Sequence, residues 1–150
     1  MIQGLEDFKT YNKAMEVGEI VWQEVAKWSF FEKDTIGKQL VRSCDSIAAN
    51  LSEGLGRYHS KDVRNITFYA RGSAFETKTW LTKAASRNLI ATETRAELIR
   101  KIDEIGRMIN GYIQSMENRV SEPEAHYSTN DLTPNAQSLT PNSQSLTPNT

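Results

Sequence analysis

The chain has 150 residues, a formal charge of −1 at pH 7, 38% apolar residues and a single cysteine, enough for one domain with a modest core. One cysteine excludes an intrachain disulfide framework, and two distant histidines without a cysteine cluster argue against a transition-metal site. No opening basic-then-apolar segment reads as a signal peptide, and no run of about 18 apolar residues could span a bilayer, so a cytoplasmic protein without a membrane part is expected.

Within residues 5–28, Phe8, Tyr11, Met15, Gly18, Trp22 and Val25 alternate spacings of three and four, and Ala14, Val21 and Trp28 broaden the face. That period predicts a helix. Ser29-Phe30-Phe31-Glu32 breaks the pattern, and its aromatic pair is expected to plug a bundle end rather than stack on a base. A second helix should start near Asp34 or Thr35 with Asp34 as N-cap. Leu40, Cys44, Ile47 and Leu51 give it one apolar stripe. It should end at Gly54-Leu55-Gly56, where glycine can take a left-handed C-cap position. Ser43, Ser46, Ala48, Ala49 and Ser52 are small enough to admit another helix closely, and Asn50 and Glu53 are the polar residues that interrupt this run.

Ser60 reads as the cap of a third helix from Lys61 to about Ser86, with Asp62 in its first turn. Val63, Ile66, Ala70, Ser73, Trp80 and Ala84 make its broad face, with Phe75 and Leu81 on flanking rows. Glycine costs about 1 kcal/mol against alanine in a helix, so Gly72-Ser73-Ala74 is expected at a backbone-close crossing. After a connector at Asn88 to Thr92, Thr94 with Glu97 fits a capping box for a fourth helix. Leu98, Ile102, Ile105, Ile109, Tyr112 and Met116 form its stripe. Ile99, Gly106, Ile113 and Val120 form an adjacent one, as for deep packing or a contact between subunits. Four amphipathic helices with short connections, and no convincing strand, predict an all-α, antiparallel up-down-up-down four-helix bundle over residues 1–120.

Beyond Pro123 the text changes: L-T-P-N-A-Q-S at 132–138, L-T-P-N-S-Q-S at 139–145 and L-T-P-N-T at 146–150. Proline in every unit rejects a coiled coil, and residues 121–150 read as a disordered, low-complexity tail. All 18 Lys and Arg, but only 16 of the 19 acidic residues, precede this tail. Residues 38–87 hold nine basic residues against four acidic ones, a bias that permits a nucleic-acid face without demanding one.

A search for catalysis finds no matched partners for Asp45, Glu53 or Glu76, and His59 reads as a surface histidine. Gly54-Leu55-Gly56 lacks the strand and the remaining glycines of a dinucleotide fingerprint, and the Glu-x-x-His pairs of a di-iron bundle are absent. No enzyme, cofactor or metal is expected, and Cys44 reads as a buried free thiol. Arg57, Lys61, Arg64, Arg71, Lys78 and Arg87 surround the second-to-third helix turn and follow the third helix. They are the candidate phosphate contacts, against the plainer alternative of salt bridges and a wet face. Arg42, Glu53 and Glu76 flank packing rows and are expected to be structural, because a carboxylate there would need an arginine partner to tolerate burial.

Two segments carry a resemblance. S-I-A-A-N-L-S-E-G-L-G-R at 46–57 and F-Y-A-R-G-S-A-F-E-T at 68–77 resemble motifs of the bacterial four-helix-bundle proteins encoded in intervening sequences of 23S ribosomal RNA genes, also called the S23 ribosomal protein family. Ala48 and Phe31 stand where that family usually has proline. The resemblance implies a homo-oligomer, a ring-like pentamer of bundles. A related bundle is the accessory protein of diversity-generating retroelements, which implies a reverse transcriptase as a possible kind of partner. By the same resemblance Asn50, Glu53, Gly54 and Arg57 are motif residues of the second helix, and Gly72, Ser73 and Glu76 those of the third, none with a catalytic role. The leading expectation is a non-enzymatic oligomeric bundle that binds RNA or DNA through a basic surface as an accessory factor. The alternative is a structural or protein-interaction bundle without direct nucleic-acid binding.

Overall fold

A computed structural model describes residues 4–120 of the protein, with side chains to residue 118. A short 3-10 turn, Leu5–Asp7, precedes α1 (Lys9–Ala26). One helical turn, Phe30–Glu32, and a π turn, Lys33–Gly37, run directly into α2 (Lys38–Leu55), followed by α3 (Ser60–Ser86) and α4 (Thr92–Val120). There is no strand among the described residues. Each helix packs on its neighbour in the chain, and α4 closes back on α1. With connections this short, that is the expected all-α four-helix bundle. The repeats at 132–150 and the tail reading lie outside the described residues.

The core confirms two of the four apolar faces as read and rotates the other two. Leu40, Cys44, Ile47 and Leu51 of α2 are buried, as are Leu98, Ile102, Ile105, Ile109 and Met116 of α4. On α1 the core takes Ala14, Val17, Val21 and Val25, whereas Met15 and Trp22 face outward, Trp22 at 60% exposure. On α3 Leu81 is fully buried with Ala70, Ala74 and Ala84, while Phe75 is 66% exposed. Thr67 and Thr77, which the predicted face leaves out, are fully buried there. Their hydroxyls lie 2.7 Å from the Val63 carbonyl and 2.8 Å from the Ser73 carbonyl. Each threonine therefore satisfies its polar atom on its own helix and presents a methyl group to the core.

The helix ends differ from the expected caps. The Ser29 N–H donates to Glu32 Oε2 at 2.8 Å and the Glu32 N–H donates to Ser29 Oγ at 3.4 Å, a full capping box. The second helical segment thus begins at Phe30, not Asp34, and Asp34 pairs instead with Lys38 at 2.8 Å. Phe30 and Phe31 then project from the first turn, 84% and 74% exposed, and plug no bundle end among the described residues. Gly37 lets the π turn pass close to α1: a Cβ there would sit 2.8 Å from Val25 Cγ1 and 3.2 Å from the Glu32 carbonyl oxygen. His59, without a side-chain cap, precedes α3, so Ser60 lies inside the helix. Thr94 likewise lies inside α4, which begins at Thr92. Gly56 ends α2 in a right-handed conformation, φ −78°, rather than the left-handed one.

Candidate functional site

Lys61, Arg64, Phe68, Arg71, Phe75 and Lys78 recur at spacings of three and four along α3, which places them on one row. The row follows the seam with α4, and most of its cations are held there. Arg64 Nη1 is 3.8 Å from Glu117 Oε1. Arg71 Nη1 donates to Asn110 Oδ1 at 3.3 Å while its guanidinium carbon lies 4.8 Å from the centre of the Phe68 ring. Lys78 Nζ is 2.6 Å from Asp103 Oδ1 and 5.4 Å from the centre of the Phe75 ring. Arg57, at the entry to the row, is paired with Glu53 one turn back. Lys61 and Arg87 make no ion pair among the described residues, but Arg87 caps the far end of α3 and stands apart from the others.

The motif residues divide between inside and outside. Asn50 Nδ2 donates to Ser73 Oγ at 3.4 Å, and the Thr77 and Ser43 hydroxyls lie 3.1 Å apart, so two polar ties join α2 to α3. Gly54 is buried, yet a Cβ there would make only ordinary contact, 3.5 Å from the Val63 carbonyl oxygen. Gly72 is exposed, and a Cβ on it would meet no atom within 4 Å. Among the described residues no other helix comes close at Gly72 itself, contrary to the approach expected there, although its neighbour Ser73 is tied to Asn50 and Ala74 is buried. Arg42, Glu53 and Glu76 are exposed rather than packed against the core. Glu76 accepts a hydrogen bond from Trp80 Nε1 at 3.1 Å. Arg42 has no ion pair among the described residues.

A second surface escaped the reading of the sequence. Between α1 and α2 runs an open groove of about 630 Å³ lined by Trp22, Val25, Val41 and Ala49, with Lys33 and Arg42 at one end. It continues past Asp45 and Ala49 to Glu19, Met15 and Ser52. Burial raises the pKa of the Asp45 carboxyl above the ordinary aspartate value, and the Glu19 charge adds to the rise. Neighbouring Cys44 is buried in the core, where desolvation and the Asp45 charge push its thiol up to about 12. That leaves it protonated at neutral pH and unsuited to nucleophilic work. The signal for the groove is present in Met15 and Trp22, seven residues apart, which line it opposite Ala49 of α2; periodicity alone places both on the core face of the first helix. Among the described residues no cluster of His, Cys, Asp or Glu could hold a metal, and no helix is long and apolar enough to cross a membrane.

Residues 6–111 match the family described as 23S rRNA-intervening sequence protein. The chain belongs to that family. The match takes in α1 to α3 and most of α4, including both motif segments. A crystal structure from the S23 ribosomal protein family, that of a protein with unknown function from Bacteroides thetaiotaomicron, aligns with a TM-score of 0.63 at 23% identity. The alignment covers 70% of this chain and 98% of that one. At this identity the likeness establishes the shared bundle and no more. No curated protein matches the sequence. Membership in the 23S rRNA-intervening sequence protein family thus accounts for the bundle and its motif positions and leaves its task to the surfaces.

Proposed function

We propose that this protein works by association rather than catalysis, as a bundle that binds further copies of itself and, once assembled, a macromolecular partner. One contrast carries the reading. The cations that could have met phosphates are largely engaged, Arg57 with Glu53, Arg64 with Glu117 and Lys78 with Asp103, while Met15, Trp22, Tyr69 and Phe75 stand in water. Exposed apolar surface of that extent marks an interaction site more often than an ordinary wet face. In this reading Asn50 and Ser73 hold α2 to α3, and Arg42, Gly72 and Glu76 serve the outer surface. The family resemblance makes a ring-like homopentamer the expected closed form. Sedimentation velocity of the purified full chain tests the proposal: a discrete species of several copies is expected, and a monomer at every concentration overturns it.

A second reading is direct binding of RNA or DNA, as an accessory factor to a nucleic-acid enzyme such as a reverse transcriptase. It is favoured by Arg71 lying over Phe68 beside exposed Phe75, since alternating cations and aromatic faces can hold a single strand. RNA affinity should then fall steeply with salt, and reversing the charges of Lys61, Arg64 and Arg71 should abolish it. No binding at low salt, or binding indifferent to those reversals, removes this reading.

A further inference from the structure

We propose that the α1–α2 groove of one copy receives the aromatic row of α3 from the next, so that the protein assembles head to tail through two different faces, an arrangement that rests on the self-association proposed above. Both faces border open solvent, and among the described residues no other element covers either of them. The groove is apolar along Val25, Val41 and Ala49, and Trp22 and Met15 project beside it. The row carries Phe68 and Phe75 with exposed Gly72 between them, where an added Cβ would meet nothing within 4 Å. The hollow at Gly72 is therefore open to a projecting side chain, and the groove is open to a projecting ring. Their spacings agree. Met15 and Trp22 are seven residues apart on α1, as Phe68 and Phe75 are on α3, which on a helix is about 10.5 Å in each case.

Charge falls into the same register. Glu19 lies between Met15 and Trp22 in sequence and lines the groove with Asp45 of α2; neither carboxylate has an ion pair among the described residues. Arg71 lies between Phe68 and Phe75, and it donates to the neutral amide of Asn110. With Phe75 at the Trp22 end of the groove, Arg71 meets Glu19 and Asp45, and Glu76 moves toward Arg42 and Lys33 at that same end. The opposite alignment keeps the first match and loses the second. A foreign partner would have to reproduce this pattern of two rings, a central cation and a following carboxylate; a second copy of the chain already carries it. Because groove and row are different surfaces, every copy offers one of each, and the contact propagates from copy to copy, into a ring where its rotation closes and into an open chain where it does not.

The test uses two full-length variants, Trp22→Asp and Phe75→Asp. Both positions are more than half exposed, so helix content by circular dichroism should match the parent chain. Each variant alone should lose self-association by about thirty-fold or more, as for an interface hot spot, and sediment as a monomer. Their equimolar mixture should give a dimer and nothing larger, because the intact row of W22D meets the intact groove of F75D. R42E and E76R should each weaken assembly, and the two changes in one chain should restore it. If the parent chain is a monomer, the self-association reading itself falls. If the parent assembles but W22D and F75D do too, or one of them still dimerises through like faces, or their mixture stays monomeric, the head-to-tail pairing is overturned while self-association stands.

Discussion

The bundle is built from a short pair of helices, α1 and α2, each of 18 residues, and a long pair, α3 of 27 and α4 of 29. The outer surfaces of the two pairs are finished in opposite ways. Across the α3–α4 seam, Lys78 reaches Asp103, Arg71 reaches Asn110 and Arg64 approaches Glu117. Across the α1–α2 seam there is no ion pair among the described residues; instead an apolar groove runs beside two carboxylates, Glu19 and Asp45. A seam closed by its own cross-links has little charge left to offer an outside ligand. A seam left apolar, with carboxylates lacking a cation, is one that another surface can complete. Charge counted along the sequence points to the long pair, and the geometry moves the interest to the short one.

The comparison breaks most visibly if the outer row of α1 turns out to belong to the core. Leu81→Ala, which empties a fully buried site on α3, should cost about 2–5 kcal/mol in urea unfolding. Trp22→Ala, on the outer row of α1, should stay within about 0.5 kcal/mol under conditions that keep the protein monomeric. Equal losses would make Trp22 a core residue and dissolve the distinction between the seams. Next in size are two glycines of opposite sign. Gly37→Ala pushes a methyl group against Val25 and the Glu32 carbonyl and should lower stability by about 1–3 kcal/mol. Gly72→Ala enters open space and should raise the stability of the monomer by up to about 1 kcal/mol. Thermal unfolding of the pair separates a glycine required by packing inside the chain from one that the fold does not need.

Much of the bundle was legible because α2 and α4 gather their large apolar residues on one face. On α1 and α3 that rule misled, since Met15, Trp22 and Phe75 supply a second apolar row while buried Thr67 and Thr77 help fill the core. Periodicity reports that a side chain is apolar; it does not report whether the surface that covers it belongs to the same copy. The capping box at Ser29 and Glu32 was written in the spacing, but Asp34 lay nearer the apolar stripe and drew the cap instead. The basic row on α3 was likewise legible, because three-and-four spacing is local. Its pairing was not: Asp103 and Asn110 lie 25 and 39 residues from Lys78 and Arg71, and only the packed bundle brings them together.

Smaller effects sharpen the contrast between the seams. A double-mutant cycle on Lys78 and Asp103 should return a coupling of about 0.2–1 kcal/mol that shrinks in salt, as for a half-exposed ion pair. A coupling of zero would mean that the α3–α4 cations are available to a ligand after all, which would favour the nucleic-acid reading.

The finest test is at Asp45, in an F75D background that keeps the chain monomeric. The folded protein holds the Asp45 proton to a higher pH than the unfolded chain does, through burial and the Glu19 charge. The folded state therefore gains from acidification across the interval between the unfolded and folded pKa values, and loses that gain as pH rises through the folded one. Asp45→Asn removes the dependence. The urea midpoint of D45N minus that of its parent should be near its smallest value in acid and increase as pH rises from the ordinary aspartate range upward. Glu104, which pairs with Lys13 away from Asp45, is present in both proteins, so its contribution cancels in the difference. Repeating the measurement on the assembled protein should flatten that rise, since a neighbour's Arg71 would supply the cation that the α1–α2 seam lacks. An identical curve in monomer and assembly would mean that the groove stays unfilled.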